Sequence, residues 1–321
     1  MDLLSRVLSI VPIGGVLDER CHFSAPWEIA QSEAASWVIP YHVVLSGNAL
    51  VEDEGGRTEV LNEGDVVIFP TGRGHRLHGG KEAGPVLTAS DNEGKRQPKN
   101  PHATSRAEIL CGRFLIGAIP DQLLRHYLPD QLIVRNAANV YGVDKQAERN
   151  TEAAADAERL TGLVGLMTQE VMRGGPGSKT LLSHLSAALF ALVLRCASLG
   201  PNPPSGLLAL AAHPRLHGAM SAMFDEPEKA WTLDDLASRC NMSKATFVRQ
   251  FQGAIGRSAM DVLLDIRMTL AGKLLLESQR SISEVSEMVG YQSVAAFHRA
   301  FKRTIGTNPA QYREAAEPGE G

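Results

Sequence analysis

The pattern of apolar and polar residues divides the chain into a front part typical of β-strands and a back part typical of helices. In the first 120 residues, short apolar runs such as 37–39, 41–45 and 65–69 alternate with glycine-rich turn signals. A spacing of about ten residues per strand predicts a β-sandwich or small barrel. From about residue 158, apolar positions recur every three or four residues, which predicts amphipathic helices. The fold class predicted is α+β multidomain.

Two helices are predicted directly after the β-region. The first, around 158–173, carries five apolar residues on one face and ends at a Gly-Gly-Pro-Gly stretch. The second, around 179–198, is apolar on nearly all sides, and such a helix must be buried on more than one side. We therefore expect a homodimer interface in this region, with an intramolecular core as the alternative.

The C-terminal third repeats itself. Five residues recur 50 positions later in the chain: Ser243, Phe247, Arg249, Phe251 and Gly256 match Ser293, Phe297, Arg299, Phe301 and Gly306. Upstream the offset is 49, so the second copy has one more residue than the first in the turn before the serine. Each copy has the pattern of a helix, a turn and a capped second helix, which indicates a duplicated helix-turn-helix.

A long predicted helix, 258–278, joins the two copies. About 20 helical residues span about 30 Å, close to the roughly 34 Å between successive major grooves on one face of DNA. The two second helices are therefore expected to enter adjacent major grooves of double-stranded DNA.

The positions of the charged residues along the chain support DNA binding better than the net charge does. The whole chain has a net charge of −4, and residues 213–321 hold 13 Lys and Arg against 13 Asp and Glu. However, the windows 236–260 and 288–313 contain basic residues and no acid, and they coincide with the two copies. Basic charge concentrated on one element is the pattern of a nucleic-acid-binding surface.

On these residues, 213–313 resembles the AraC-type DNA-binding domain, a bipartite helix-turn-helix. The most specific part is the second copy, with Gly290-Tyr291, Phe297-x-Arg299-x-Phe301 and Tyr312-Arg313. The first copy departs from the family at Ala259, where proline is frequent. The resemblance implies a transcriptional activator whose partners are double-stranded DNA and RNA polymerase.

Carried over by position, the resemblance places base or groove contacts on eight residues of the two second helices: Lys244, Ala245, Val248, Arg249, Ala295, Ala296, His298 and Arg299. Several of these side chains are small, so thymine methyl groups and DNA shape are expected to carry part of the specificity. Phosphate contacts are expected from four further residues: Ser243, Ser293, Lys302 and Arg303.

The segment 41–77 resembles a cupin, a jelly-roll β-barrel, through the turn at Gly47, the Leu61-x-x-Gly64-Asp65 corner, and Phe69-Pro70. Metal-binding cupins carry a His-x-His pair, a Glu and a later His. Here His42 stands alone and His75 matches only the late position, so we expect no metal, no cofactor and no catalytic residue. Both histidines are assigned to a candidate ligand pocket. A metal-dependent cupin enzyme fused to a DNA-binding module is the alternative function.

Four scattered cysteines without a Cys-x-x-Cys motif indicate neither a disulfide framework nor a zinc site. Among AraC-type regulators with a cupin front end, the chain is similar to a subgroup that responds to reactive chlorine or other oxidants. That resemblance implies that Cys21 and Cys111 form a redox pair. A small-molecule signal in the β-barrel is the alternative, and Cys111 as a simple core residue is a further one.

The predicted organisation has five parts. Residues 1–120 form the cupin-like regulatory domain, 121–199 a helical region, 200–212 a linker, 213–315 the DNA-binding domain, and 316–321 a disordered tail. The N-terminus lacks a basic signal sequence, and no uninterrupted apolar run approaches the roughly 18 residues of a membrane span. The sequence thus favours a cytoplasmic location with no membrane contact.

Overall fold

The computed structural model describes residues 1–79, 86–88, 106–117, 120–136, 150–200, 203–277 and 279–316. The chain forms two compact units. One consists of Ile13–Leu115 and Pro129–Pro201 and is here called the β-unit. The other consists of Met1–Pro12, Ile116–Leu128 and Asn202–Gly321 and is called the helical unit.

Ten strands build the β-unit: β1 Ile13–Ser24, β2 Trp27–Gln31, β3 Val38–Ser46, β4 Asn48–Asp53, β5 Thr58–Asn62, β6 Val66–Ile68, β7 His75–Gly79, β8 Val86–Thr88, β9 Arg106–Ile116 and β10 Leu132–Val134. They form two five-stranded sheets, ordered β1-β9-β3-β6-β10 and β5-β4-β7-β2-β8. Apolar side chains of both sheets share one core, which includes Val44 and Ile109 from the first sheet and Val51 and Leu77 from the second. The predicted jelly-roll fold is confirmed.

The corner at Gly64 and Asp65 shows why the sequence turns there. Gly64 has φ +84°, a left-handed conformation that favours glycine. The buried Asp65 carboxylate accepts from the backbone N–H groups of Asn62 (2.9 Å) and Asn136 (2.8 Å) and from the Arg135 guanidinium (3.1 Å). A buried carboxylate is tolerated because these donors satisfy it.

Two long helices complete the β-unit, α3 Asn150–Arg173 and α4 Ser178–Leu199 (α1 and α2 lie in the helical unit). Helix α4 packs against α3 and β1, and the Phe190 ring meets that of Phe114 edge to face. At Gly15 a Cβ atom would lie 2.3 Å from the Ser186 Cβ, so glycine permits this close approach. By length and mean hydropathy α4 could cross a membrane, although charged and polar residues interrupt its apolar run.

The helical unit contains ten helices within its described residues: α1 Leu3–Ile10, α2 Gln122–Arg125, α5 Leu207–Ala212, α6 His217–Asp225, α7 Leu233–Arg239, α8 Lys244–Ile255, α9 Ala259–Glu277, α10 Ile282–Met288, α11 Val294–Ile305 and α12 Pro309–Ala316. Helices α7 and α10 have seven residues each at an offset of 49, and α8 and α11 have twelve each at an offset of 50. The inserted residue lies in the turn, and the duplicated helix-turn-helix is confirmed.

The compact units divide the chain differently from the predicted domains. Residues 207–212, assigned to the linker, form a helix with three buried leucines. Residues 1–12 and 116–128, assigned to the regulatory and helical regions, belong to the helical unit, and region 121–199 also contains strand β10. Local periodicity misses these segments because each is too short to show a helical or strand repeat. The polar stretch 89–105, residues 201–202 and the tail beyond 316 lie outside the described residues.

A buried carboxylate on the long helix α9 ties the segment around Tyr127 into the helical unit. The Asp265 side chain accepts from the Tyr127 hydroxyl (2.6 Å) and the Arg257 guanidinium (2.9 Å), and the His126 Nδ1 lies 3.2 Å away. Proximity of Asp265 and burial both raise the pKa of the Tyr127 phenol, so it remains a donor. Removing the Asp265 carboxylate would leave the buried Tyr127 hydroxyl and the partly exposed Arg257 guanidinium without this acceptor.

We expect Asp265→Ala to lower the free energy of unfolding of the helical unit by about 2–4 kcal/mol, because Arg257 and Tyr127 lose their acceptor. Urea denaturation of the full chain, followed by Trp231 fluorescence, measures it. Glu277→Ala is the control, since that carboxylate on the same helix is exposed and its ion pair with Lys273 is long, at 3.8 Å. Equal effects of the two substitutions would contradict the role given to Asp265.

Candidate DNA interface and sensing site

The first helix-turn-helix is held by local capping. Thr232 and Asp235 form a capping box at the start of α7, and the Ser243 hydroxyl caps α8 by accepting from the Thr246 N–H. In the turn between them Asn241 adopts φ +52°, a left-handed conformation that asparagine tolerates better than most residues. Phe247 is completely buried on the inner face of α8. The outer face of α8 is therefore held in a defined orientation.

The second helix-turn-helix uses the same devices with different residues. Ser281 and Glu284 form the capping box of α10, and the Ser293 hydroxyl caps α11. Gly290 has φ +83° in the turn, and a Cβ there would lie 2.4 Å from the Glu228 carbonyl oxygen. Only glycine fits at this position. The buried Phe297 repeats the role of its counterpart in α8.

The predicted DNA-contacting residues lie on the outer faces of α8 and α11. Six of the eight base-contact candidates are exposed, while Ala296 and His298 are half-buried. Arg249 and Arg299 are exposed and form no ion pair within the described part of the chain. Lys244 pairs with the exposed Asp234 at 2.9 Å, and such a surface ion pair is weak enough to exchange for a phosphate.

The four phosphate-contact candidates are also exposed: Ser243, Ser293, Lys302 and Arg303. The two serine hydroxyls already accept from the first turns of α8 and α11. They lie at helix N-termini, where free N–H groups favour a negatively charged ligand.

Two arginines of the acid-free windows are not available to DNA. Arg257 is bound to Asp265, and Arg313 donates to the carbonyl oxygens of Leu275 (3.0 Å) and Arg280 (2.6 Å). The charge pattern counts all cations alike, whereas these two hold the helical unit together. The basic surface is therefore narrower than the sequence windows suggest.

In the β-unit, the cysteines of the predicted redox pair lie on neighbouring strands. Strand β1 runs beside β9, and Cys21 packs against the core cluster that contains Cys111. Both are free thiols, with Cys21 half-buried and Cys111 buried. A hydrogen bond with Cys21, together with burial and the nearby Asp18 and Glu19, raises the pKa of Cys111 well above its usual value. At neutral pH Cys111 is a thiol.

The two histidines of the predicted pocket extend this contact. The β3–β9 register places His42 directly opposite Cys111, with the His42 Nδ1 3.2 Å from the Cys111 Sγ. His75 comes from β7 in the other sheet, and its Nε2 lies 2.8 Å from the His42 Nε2. The His75 Nδ1 lies 3.1 Å from the Arg73 carbonyl oxygen. Cys21, Cys111, His42 and His75 form one row, here called the thiol–imidazole row, in which all but the half-buried Cys21 are buried.

Burial keeps both rings neutral. It lowers the pKa of His42 well below its usual value, and the neighbouring His75 lowers it further. Burial also lowers the pKa of His75 to about 4, against the opposing effect of the Arg73 carbonyl. The Phe69 ring stacks on His75 with centroids 3.5 Å apart. Every member of the row whose pKa is displaced is therefore uncharged at neutral pH.

The row does not fit the metal site of a cupin enzyme. Cys111 and His75 contact opposite nitrogens of the His42 ring, so their donor atoms do not converge on one point. Among the described residues, no cluster of three or more His, Cys, Asp or Glu side chains could hold a metal ion. His42 and His75, the two residues predicted to line a ligand pocket, are 0% and 3% exposed and so are enclosed by packed side chains.

The other two cysteines lie apart from the row. Cys196 lies on α4, where burial raises its pKa to about 11. Cys240 ends α7 and is buried, and burial raises its pKa as well. From the sequence, the cysteines were predicted to form a redox pair and the histidines to line a ligand pocket, as two alternative ways of sensing a signal. Their union depends on the β3–β9 register and on the packing of two sheets, for which a single sequence carries no signal.

Comparison with known proteins agrees with both halves of this arrangement. A family model described as a cupin matches residues 2–198, and one described as a helix-turn-helix domain matches residues 236–315. The RCS-specific HTH-type transcriptional activator RclR of Escherichia coli (strain K12) is 28% identical over 314 residues, which cover 98% of each chain. The HTH-type transcriptional regulator AlkR of Acinetobacter baylyi is 27% identical over 322 residues, covering 98% of this chain and 99% of its own.

Among solved structures, the DNA-binding domain of AdpA in complex with a target DNA is 31% identical and covers 34% of this chain and 100% of that one, with a TM-score of 0.31. The cupin model covers more than half of the present chain, and the helix-turn-helix model lies on the duplicated unit. The chain therefore belongs to the cupin family and is a DNA-binding transcriptional regulator of the AraC type with an N-terminal cupin sensing domain.

Proposed function

We propose that this regulator is an activator whose signal is oxidation of Cys21 and Cys111 to a disulfide. The observation that carries the proposal is the hydrogen-bonded contact between the two thiols on neighbouring strands. Half-buried Cys21 is the thiol that an oxidant reaches first, and buried Cys111 is positioned to resolve the oxidised product. The name of one relative, an RCS-specific activator, points to the same class of signal.

We further propose that the protein works in the cytoplasm as a homodimer together with RNA polymerase, and acts by binding DNA rather than as an enzyme. Its relatives are named as transcriptional regulators. The non-convergent donors of the thiol–imidazole row weigh against the alternative of a metal-dependent cupin enzyme. That alternative would be supported if the purified protein contained stoichiometric metal and had a measurable catalytic turnover that was lost when the metal was removed.

For DNA recognition we propose that α8 and α11 enter adjacent major grooves. The connecting helix α9 has 19 residues and so spans about 28 Å at 1.5 Å per residue. The contacting residues are those predicted: Lys244, Ala245, Val248, Arg249, Ala295, Ala296, His298 and Arg299 toward bases, and Ser243, Ser293, Lys302 and Arg303 toward phosphates. The exposed, unpaired guanidinium groups of Arg249 and Arg299 are the strongest candidates for direct base contact.

Arg249→Ala and Arg299→Ala are each expected to weaken binding to the target promoter by about 1–3 kcal/mol and to relax its specificity, because each would lose hydrogen bonds to base edges. Lys302→Ala should weaken binding to all sequences equally and reduce the salt dependence by about one phosphate contact. Gel-shift titrations at several salt concentrations measure both effects. The control is Arg215→Ala, because this exposed arginine lies outside the acid-free windows. A footprint unchanged by Arg249→Ala and by Arg299→Ala would refute the assignment.

For the homodimer, the proposed interface is the outer side of α3 and α4. Four large apolar residues are exposed there: Leu166, Met172, Leu181 and Leu199. Leu166→Asp combined with Met172→Asp is expected to convert the dimer to a monomer, because charges would be buried without partners. Light scattering measures the mass. Val60→Asp, at an exposed valine on β5, is the control, and a monomeric unsubstituted protein would exclude this interface.

The redox signal has a direct test. Treatment of the reduced full chain with hypochlorous acid should produce a Cys21–Cys111 peptide in non-reducing mass mapping, and Cys21→Ser should abolish the change in promoter activity. Cys196→Ser is the matched control and should keep the full response. If no such peptide forms and Cys21→Ser still responds, the signal is not this disulfide, and a small molecule binding in the β-barrel becomes the better explanation.

A further inference from the structure

We propose that His42 is the base that removes the proton from Cys111 when the disulfide forms, and that His75 positions His42 for this step. The inference rests on the proposed redox function and assigns a chemical role to two histidines that the switch itself does not require. It follows from the hydrogen-bond order along the thiol–imidazole row.

The order can be worked out from its far end. The Arg73 carbonyl oxygen can only accept, so the His75 Nδ1 must carry a proton and donate to it over 3.1 Å. A neutral His75 then has an unprotonated Nε2, which accepts from the His42 Nε2–H over 2.8 Å. A neutral His42 in turn has an unprotonated Nδ1. That lone pair faces the Cys111 Sγ at 3.2 Å.

The tautomer of each imidazole ring therefore depends on the hydrogen bond to its neighbour. This series of hydrogen bonds ends at the Cys111 Sγ, which must lose its proton. His42 touches the reacting sulfur and is the catalytic residue. His75 acts only through His42, because its Nε2 holds the His42 Nε2–H and so keeps the His42 Nδ1 free. In the other tautomer of His42, an N–H group would point at the Cys111 thiol and no base would be available.

The surroundings explain why a base is needed. The nucleophile in disulfide formation is the thiolate, not the thiol. Three groups on β1 act on Cys111: the hydrogen bond with Cys21 and the negative charges of Asp18 and Glu19, and all three favour the protonated thiol. His75 is the group that acts on His42, and the described residues place no carboxylate against either ring. Cys111 thus forms little thiolate by itself, and a neutral imidazole in contact with it can accept the proton as the S–S bond forms.

An oxidant of the hypochlorous acid or peroxide class converts the Cys21 thiol to a sulfenic acid and is reduced to chloride or water. The Cys111 sulfur then attacks the Cys21 sulfur while its proton moves to the His42 Nδ1. The S–S bond forms, the S–O bond breaks, and the hydroxide that leaves with the electron pair takes a proton to become water. The histidine pair ends the step neutral, having carried one proton.

The experiment measures the disulfide-forming step in the full chain after rapid mixing with hypochlorous acid. Timed alkylation and mass spectrometry give the first-order rate that does not depend on oxidant concentration. For the unsubstituted protein this rate should be nearly independent of pH between about pH 6 and 8, since the proton moves within the row. His42→Gln should lower it by roughly 100-fold at neutral pH and make it rise by about tenfold per pH unit, because the thiolate must then form by loss of a proton to water. His75→Gln should show a smaller decrease and the same change of pH profile.

His78→Gln is the matched control, because His78 lies on the same strand as His75 but on the opposite face of the sheet, and it should leave rate and profile unchanged. If the unsubstituted protein forms no Cys21–Cys111 disulfide, the proposed function itself fails. If it does, but His42→Gln forms the disulfide at the same rate with a flat pH profile, only the role of His42 is refuted.

A measurement on the unsubstituted protein covers the case in which the variants fail to fold. Nitrogen-15 NMR of the reduced full chain should show His42 protonated at Nε2 and His75 protonated at Nδ1. The opposite tautomer at His42 would overturn the proposal, because no lone pair would then face Cys111.

Discussion

The arrangement of the sensing site depends above all on the pairing of β3 with β9. That register sets His42 opposite Cys111 and Tyr41 opposite Gly112. Because side chains alternate between the two faces of a strand, the first pair points into the sandwich and the second points away from it. A slip of one residue would put Tyr41 on the same face as Cys111 and His42 on the opposite face, so the imidazole would no longer contact the thiol. The long pairing of β3 and β9, over most of each strand, makes such a slip costly.

The glycine after Cys111 is part of the same constraint. A Cβ at Gly112 would lie 2.3 Å from the Tyr41 Cζ, so the large Tyr41 ring can be accommodated only beside a residue without a side chain. The Tyr41 ring in turn stacks on Phe114 with centroids 4.4 Å apart. The outward face is thereby filled by aromatic packing, while the inward face is left to the thiol–imidazole row. The Cys-Gly pair is thus one structural unit, in which the cysteine faces the proposed sensing site and the glycine leaves room for the Tyr41 ring.

In the helical unit, the residues that hold the helices in place differ from those proposed to contact DNA. The residues that repeat between the two copies are caps, buried phenylalanines and helix-ending glycines, and they hold α8 and α11 in equivalent frames. Most outward residues do not repeat, apart from Arg249 and Arg299. Two helix-turn-helix copies with the same scaffold and different outward residues are suited to recognising two different half-sites. Buried polar contacts such as those of Asp265 and Arg313 keep the frames rigid without taking part in recognition.

The sequence by itself determined the fold class and the two helix-turn-helix copies, and it predicted two cysteines and two histidines as candidates for the sensing site. These features are local or periodic: a helix shows its period of 3.6 residues, a cap shows its serine, and a duplication shows its fixed offset. It also placed the inserted residue in the correct turn. The boundaries of the compact units were not visible in the same way, because short segments such as 207–212 are helical only through burial against distant residues.

Only the tertiary structure decided that the cysteines and the histidines form one row. Strand register and the facing of two sheets arise from contacts between residues far apart in the chain, and a single sequence does not record which residues meet. The same holds for charge. Arg257 and Arg249 look alike in the acid-free window, yet one is bound to the buried Asp265 and the other lies free on the surface. The burial of Cys111, His42 and His75, which sets their charge states, is likewise a property of the folded packing and not of the sequence around each residue.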